Sequence, residues 1–228
     1  MNKFYSIVFF FCFCSSSLFS QIINDAGLWS TFTLKMEITK KTTLIFDQEL
    51  RLKENYTQLN LFYSNIGVNY KITKRLSIEP SYRHIDKYTA ENIFSYRHRF
   101  SVDVNYKYKI NRMSYSLRAR YQRESKNVLS GEFGWLSEKY FRIRAQTEYQ
   151  LSAKLSAYYN LEFRYQIFVP GNDMMFNNRW HRVRNVVGAD YKTSESFTLG
   201  VYFLHQTEYD INPIESNYIS GIQITKKL

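Results

Sequence analysis

The chain has 228 residues, a formal net charge of +11 and 18% aromatic residues, with 20 Tyr and 18 Phe against only 8 Gly and 3 Pro. Two cysteines, Cys12 and Cys14, both near the start, exclude a disulfide framework and a cysteine metal cluster in the body of the chain. The basic balance fits nucleic acid, an acidic ligand or an anionic membrane surface, so the placement of the charges has to decide.

Residues 1–20 (MNKFYSIVFFFCFCSSSLFS) read as a secretory signal peptide. Lys3 precedes an apolar run from Phe4 to Phe13, small polar residues follow, and cleavage is expected before Gln21. A lipoprotein anchor at Cys12 or Cys14 is the weaker alternative, because large aromatics precede them. No stretch approaches the ~20 apolar residues of a membrane helix. Residues 21–228 are then one domain.

Along that domain the apolar residues recur at every second position. From Phe100 to Tyr108, Phe100, Val102, Val104, Tyr106 and Tyr108 alternate with Ser101, Asp103, Asn105 and Lys107. Eleven such runs are predicted as strands: 27–38, 43–53, 60–72, 76–86, 93–110, 113–123, 139–151, 155–167, 179–192, 196–208 and 217–226. Tight turns punctuate them at Thr39-Lys40-Lys41, Thr73-Lys74-Arg75, Asn111-Arg112, Ser152-Ala153-Lys154 and Thr193-Ser194-Glu195, 34 to 42 residues apart. Longer, more variable segments lie between, near 54–58, 86–92, 124–138, 168–178 and 210–216.

Many of these runs exceed the ~5–6 residues usual in globular strands and match the ~9–11 needed to cross hydrocarbon with a tilt. Only helices and closed barrels satisfy their backbone hydrogen bonds in lipid. The expected fold is therefore all-β, a transmembrane antiparallel up-and-down barrel of ten to twelve strands, with short turns in the periplasm and long loops outside. Single-chain bacterial barrels have even strand counts. That expectation leaves two readings: 27–38 lies partly inside the lumen, giving ten strands, or a further strand hides in 124–138, giving twelve.

The chain resembles the DUF2490 family of outer-membrane barrels, found mainly in Bacteroidota and other Gram-negative bacteria. The matching stretches are GLW (27–29), DQELR (47–51), NYKITKRLSIEPSYR (69–83), RWHRVRN (179–185) and the closing hairpin around 190–199. The resemblance implies the porin-like fold and an outer-membrane address; the family has no established activity and supplies no catalytic residue. The chain ends Ile224-Thr225-Lys226-Lys227-Leu228, without the terminal aromatic common in such barrels.

Alternation assigns each charged side chain to a face. Arg51, Arg83, Arg97, Arg99, Arg118, Arg120, Arg142, Arg144, Arg164, Arg182 and Arg184 take the lumen parity, each in the half of its strand nearer the long loops. The predicted acidic lumen residues, Asp47, Glu49, Glu79, Asp103, Glu148, Glu162 and Asp190, sit more toward the middle or the turns. An arginine-lined extracellular mouth follows, that of a narrow anion-biased channel or of a binder of a small anionic ligand, with Arg97, Arg99, Arg118, Arg120, Arg142, Arg144, Arg164, Arg182 and Arg184 as its binding residues. The competing reading is structural: the same arginines pair with Asp103, Glu49 and Glu162 and cross-link a narrow interior.

His84, His98, His181 and His205 take the lipid-facing parity near the loop ends, at the level of lipopolysaccharide headgroups. There they stand in for girdle tyrosines or touch headgroups. A lipid-modifying hydrolase or acyltransferase on the outer wall is the alternative function, and it requires a histidine beside a serine. Ser64 and Ser220 share the outer parity, yet the sequence places no histidine next to them. Glycine-rich phosphate loops and HExxH motifs are missing, so no cofactor, metal site or catalytic residue is assigned. Basic and aromatic residues interleave as in single-strand binders, but half face lipid and export argues against nucleic acid. Sequence reasoning thus leans away from an enzyme, names outer-membrane lipid and lipopolysaccharide as partners, and leaves the oligomeric state open.

Overall fold

The computed structural model describes residues 22–88, 94–127, 135–169, 178–209 and 214–228. Eleven strands make up the wall: β1 Ile22–Glu37, β2 Thr42–Lys53, β3 Gln58–Lys71, β4 Leu76–Tyr88, β5 Phe94–Ile110, β6 Met113–Asn127, β7 Trp135–Gln150, β8 Leu155–Phe168, β9 Arg179–Lys192, β10 Phe197–Glu208 and β11 Ile214–Lys227. Each pairs antiparallel with its sequence neighbour, and the barrel closes by a parallel pairing of β1 with β11, from Ile22 beside Ile214 to Lys35 beside Lys227.

Neither even count holds. Residues 27–38 are wall, within β1, and 124–138 adds no strand among the described residues; its ends prolong β6 and β7, with 128–134 outside the described residues. An odd number of up-and-down strands brings the first and last in with the same direction, so parallel closure is the geometric consequence. Backbone bonds seal it: Leu228 N–H donates to the Lys35 carbonyl at 2.8 Å.

Three of the five tight turns share one piece of chemistry. A hydroxyl at the first turn position accepts two backbone N–H groups: Thr39 from Lys41 and Thr42, Thr73 from Arg75 and Leu76, Ser152 from Lys154 and Leu155. Such side-chain turns mimic a backbone turn and make glycine unnecessary. At Asn111, φ is 51°, a left-handed conformation asparagine tolerates. The β2–β3 connection needs three successive left-handed residues, Glu54, Asn55 and Tyr56. The Asp25 carboxylate holds them there by accepting the N–H groups of Glu54 and Asn55, both at 3.1 Å.

The two faces are inverted relative to a water-soluble barrel. Phe100, Val102, Val104, Tyr106 and Tyr108 are exposed on the outside, Phe100 to 59%, while Asp103 between them is 2% exposed within. Glu49, Gln122, Glu124, Glu138, Arg142, Asn160 and Glu162 are likewise buried in the interior. No helix among the described residues is long and apolar enough to cross a membrane.

One side of the lumen is apolar: Trp29, Val186, Leu204 and Ile219 pack together with Tyr158 and Tyr202 against them. Tyr202 lies flat on the wall because Gly221 is beneath it; a Cβ there would stand 2.0 Å from its Cζ. Gly188 makes the same space for Tyr158, at 2.5 Å.

Candidate functional site

The lumen holds two cavities, about 910 Å3 on the loop side and about 870 Å3 on the turn side, and Trp29 and Arg184 line both. Between them lies a girdle of charge built from neighbouring strands. Asp103 on β5 accepts two bonds from Arg120, at 2.5 and 2.6 Å, with Arg118 at 3.7 Å. Glu162 on β8 accepts Arg118 at 2.5 Å and faces Arg142 and Arg184, each at 3.4 Å. Two carboxylates thus hold four guanidinium groups. Across the lumen, Glu49 accepts Arg51 at 2.5 Å, Thr31 at 2.8 Å and Tyr63 at 2.9 Å. The Arg51 guanidinium lies 3.5 Å from the centre of the Trp29 ring, and that of Arg83 lies 3.7 Å from that of Tyr63, a stacking only the planar group can make.

The loop-side cavity is wired in pairs. Glu124 takes Arg99 at 2.8 and 2.5 Å and Arg97 at 3.2 Å. Lys126 pairs with Glu138, which also accepts the Tyr140 hydroxyl at 3.0 Å. Arg182 pairs with Glu208, whose carboxylate also accepts Gln206 at 2.9 Å and has Arg164 at 3.8 Å. The turn-side cavity differs. Among the described residues neither Arg83 nor Arg144 has a carboxylate within 4 Å; Arg83 donates to the Asn65 amide oxygen at 3.3 Å. At the centre Gln122 is 1% exposed and both its amide atoms lack a partner among the described residues.

The expected single mouth is therefore corrected. Arg51, Arg97, Arg99, Arg164, Arg182 and Arg184 line the loop-side cavity, whereas Arg83, Arg118, Arg120 and Arg144 line the turn-side one and Arg142 is buried at the girdle. Tilted strands explain it, since position along a strand is not height along the barrel axis. The loop-side half is also not the more positive. Its lining carries ten basic groups against six carboxylates, the turn side eleven against seven, so the excess is four in both. None of the six loop-side carboxylates, Asp25, Glu54, Glu124, Glu138, Glu208 and Glu215, is among those that sequence reasoning places in the lumen, nor is Glu37 on the turn side, although continuing the alternation beyond 123 finds Glu124.

Of the histidines, His84, His98 and His205 face outward in aromatic surroundings. His84 stacks on Tyr96 with ring centres 6.1 Å apart, and the Tyr82 hydroxyl and His98 Nδ1 are 2.6 Å apart. His181 does not face outward. The register shifts between Arg164 and Tyr165 of β8, and the extra residue on β9 turns His181 into the loop-side cavity, where its Nε2 accepts Arg164 at 2.7 Å. His205 stacks on Tyr218 at 4.9 Å and has Nε2 2.7 Å from Ser216 Oγ, so an outer-wall histidine does meet a serine; His84, whose Nε2 is 3.1 Å from Asp86 Oδ1, stands directly opposite Ser64 in the β3–β4 register, while Ser220 stands opposite Phe203. Among the described residues no cluster of three His, Cys, Asp or Glu could hold a metal.

A search of the curated proteins finds no match. Among solved structures the fold is similar to that titled "NanC porin structure in rhombohedral crystal form", with a TM-score of 0.55, 13% identity, and coverage of 90% of this chain and 98% of the porin. At that identity the likeness is one of fold, a closed barrel of porin type. The family model described as "Protein of unknown function (DUF2490)" matches residues 26–217, and the chain belongs to the DUF2490 family.

Proposed function

We propose that this protein is an outer-membrane barrel of a Gram-negative bacterium, exported by residues 1–20, whose cationic lumen binds small anions and passes them through a narrow girdle. The apolar outer face, the porin-type fold and the secretory pattern of the first residues support the location. The observation that carries the anion preference is the excess of four cations in each cavity, with Arg83 and Arg144 left without a carboxylate partner among the described residues. Guanidinium groups on a water-filled wall keep their charge and offer paired donors to carboxylate or phosphate. The girdle ion pairs restrict the passage, so small currents are expected. The test is conductance of the folded protein in a planar bilayer under a salt gradient. A reversal potential on the anion side supports the reading; a cation-side or zero potential sinks it, and silence from folded protein removes conduction.

A second reading rests on Ser216 and His205. If the serine hydroxyl donates to a neutral imidazole Nε2, the pair has the contact that a serine nucleophile and its base require, on the outer wall where lipid esters lie. Among the described residues no carboxylate partners His205. Labelling of folded protein by a fluorophosphonate, lost on Ser216→Ala, supports an outer-wall hydrolase or acyltransferase. A folded protein that takes no label ends it.

A further inference from the structure

We propose that the outer wall of β6 and β7, at the loop-side border of the apolar band, holds a phosphate group of a membrane lipid headgroup between Arg123 and Lys139. The proposal rests on the bilayer location above and on no property of the lumen.

Register makes the site. Arg123 stands directly opposite Lys139, and Ser125 directly opposite Ser137, so two cations and two hydroxyls form adjoining rungs of one ladder. Their neighbours Gln122, Glu124, Glu138 and Tyr140 are buried inside, which turns these four outward. Like charges directly opposite on one face of a sheet repel and destabilise the pair. Among the described residues neither cation has a carboxylate within 4 Å to offset this repulsion. The two acidic side chains next in sequence, Glu124 and Glu138, point into the lumen and are held there by Arg99 and Lys126.

The geometry is also prepared for an anion. Arg123 Nε donates to Ser137 Oγ at 2.7 Å, drawing the guanidinium across to β7. Its two terminal nitrogens then remain for an external acceptor, beside the Lys139 ammonium, which lies 5.9 Å from the centre of the Phe168 ring. A phosphomonoester dianion matches two cations in charge and uses the paired donors of arginine in a bidentate way. The surroundings choose the lipid over the free ion. The rung next to Arg123 and Lys139 on the turn side is Tyr121 with Phe141, and Phe100 flanks Arg123 on β5. Acyl chains would lie along that apolar surface with the phosphate at its border, where basic clusters recognise anionic headgroups.

The test is native mass spectrometry of the detergent-folded barrel with lipid A bearing two phosphates, with its dephosphorylated counterpart, and with inorganic pyrophosphate as competitor. Wild type is expected to retain the phosphorylated lipid about tenfold better than the dephosphorylated one. Arg123→Gln/Lys139→Gln loses that preference, and Lys154→Gln, which removes a cation from a turn at the other end, keeps it. Should the double variant fail to fold, the two single variants are read instead, each with a partial loss. Equal retention of both lipids by wild type, or an unchanged preference in the variants, overturns the site, and displacement by equimolar pyrophosphate overturns the lipid as the source of the phosphate. Insertion into lipid vesicles is measured separately: a barrel that does not insert loses both the bilayer location and this site, whereas one that inserts without Arg123- and Lys139-dependent binding loses the site alone.

Discussion

The two cavities of the lumen have the same surplus of positive charge and use it differently. On the loop side Glu124, Glu138 and Glu208 each hold a basic partner, so most of the charge is spent on cross-linking neighbouring strands. On the turn side Arg83 and Arg144 face the cavity without a carboxylate, among the described residues. Net charge alone therefore says little about where an anion would rest. The pairing of individual groups decides, because a guanidinium already engaged by a carboxylate has little left to offer a ligand.

The largest effect is expected at the girdle that separates the cavities. Glu162 neutralises parts of Arg118, Arg142 and Arg184 together, and Glu162→Gln would leave three buried guanidinium groups short of counter-charge. Removing one partner of a buried ionic cluster costs about 3–5 kcal/mol. A large fall in the urea midpoint of the detergent-folded barrel is the expected outcome. An unchanged midpoint would mean that water already solvates the girdle, and that the two cavities are one.

Next in size is the wall of the turn-side cavity. Gly221→Ala would place a methyl group inside the Tyr202 ring and push that ring toward the cavity. Overpacking of this kind costs about 1–3 kcal/mol. The same urea series reads the cost, and reduced conductance would show that Tyr202 had moved into the path.

Much of this architecture is legible in the residues, and the exceptions have physical causes. Alternation of large apolar with polar residues marks the strands, broken where Val186, Leu204 and Ile219 put apolar side chains into the lumen, and hydroxyl-led turns at Thr39, Thr73, Ser152 and Thr193 mark four of the ten connections. His181 departs from its parity because a bulge adds a residue to β9 without leaving a trace in the pattern. The cavity to which Arg118 and Arg144 belong depends on tilt, which is a property of the closed barrel. Glu124 and Glu138 lie just beyond the predicted ends of their strands, at 123 and 139, and so escaped the count of lumen carboxylates. The contact of His205 with Ser216 depends on the register of β10 with β11, and Ser216 precedes the predicted start of the last strand at 217.

Anion selectivity tests the contrast between the cavities directly. Arg83→Gln/Arg144→Gln removes two guanidinium groups that no carboxylate engages among the described residues and should move the reversal potential toward zero, by roughly 1 kcal/mol of preference for a small anion at the effective dielectric of a wet protein surface. Arg97→Gln/Arg99→Gln, on the loop side, removes the same formal charge and leaves Glu124 unneutralised, so the summed field falls by at least as much; it removes no donor free to hold an anion, and a smaller shift is expected where free donors set the preference. Equal shifts from the two pairs would erase the distinction drawn between paired and unpaired arginines.

The smallest effect is the reverse experiment. Glu124→Gln keeps the shape of the side chain and removes the charge that occupies Arg97 and Arg99, converting the loop-side wiring into that of the turn side. These two arginines line an open cavity where water and salt screen them, so the gain in anion preference should be a few tenths of a kcal/mol and fade as ionic strength rises. The direction matters more than the size. Loss of a carboxylate from any cationic lumen shifts selectivity toward anions, but engaged-versus-free wiring further requires that Glu124→Gln make Arg97→Gln/Arg99→Gln more consequential than it is in the wild type. A double-mutant comparison in the same bilayer reads that coupling, and strict additivity would leave only the summed charge as the cause.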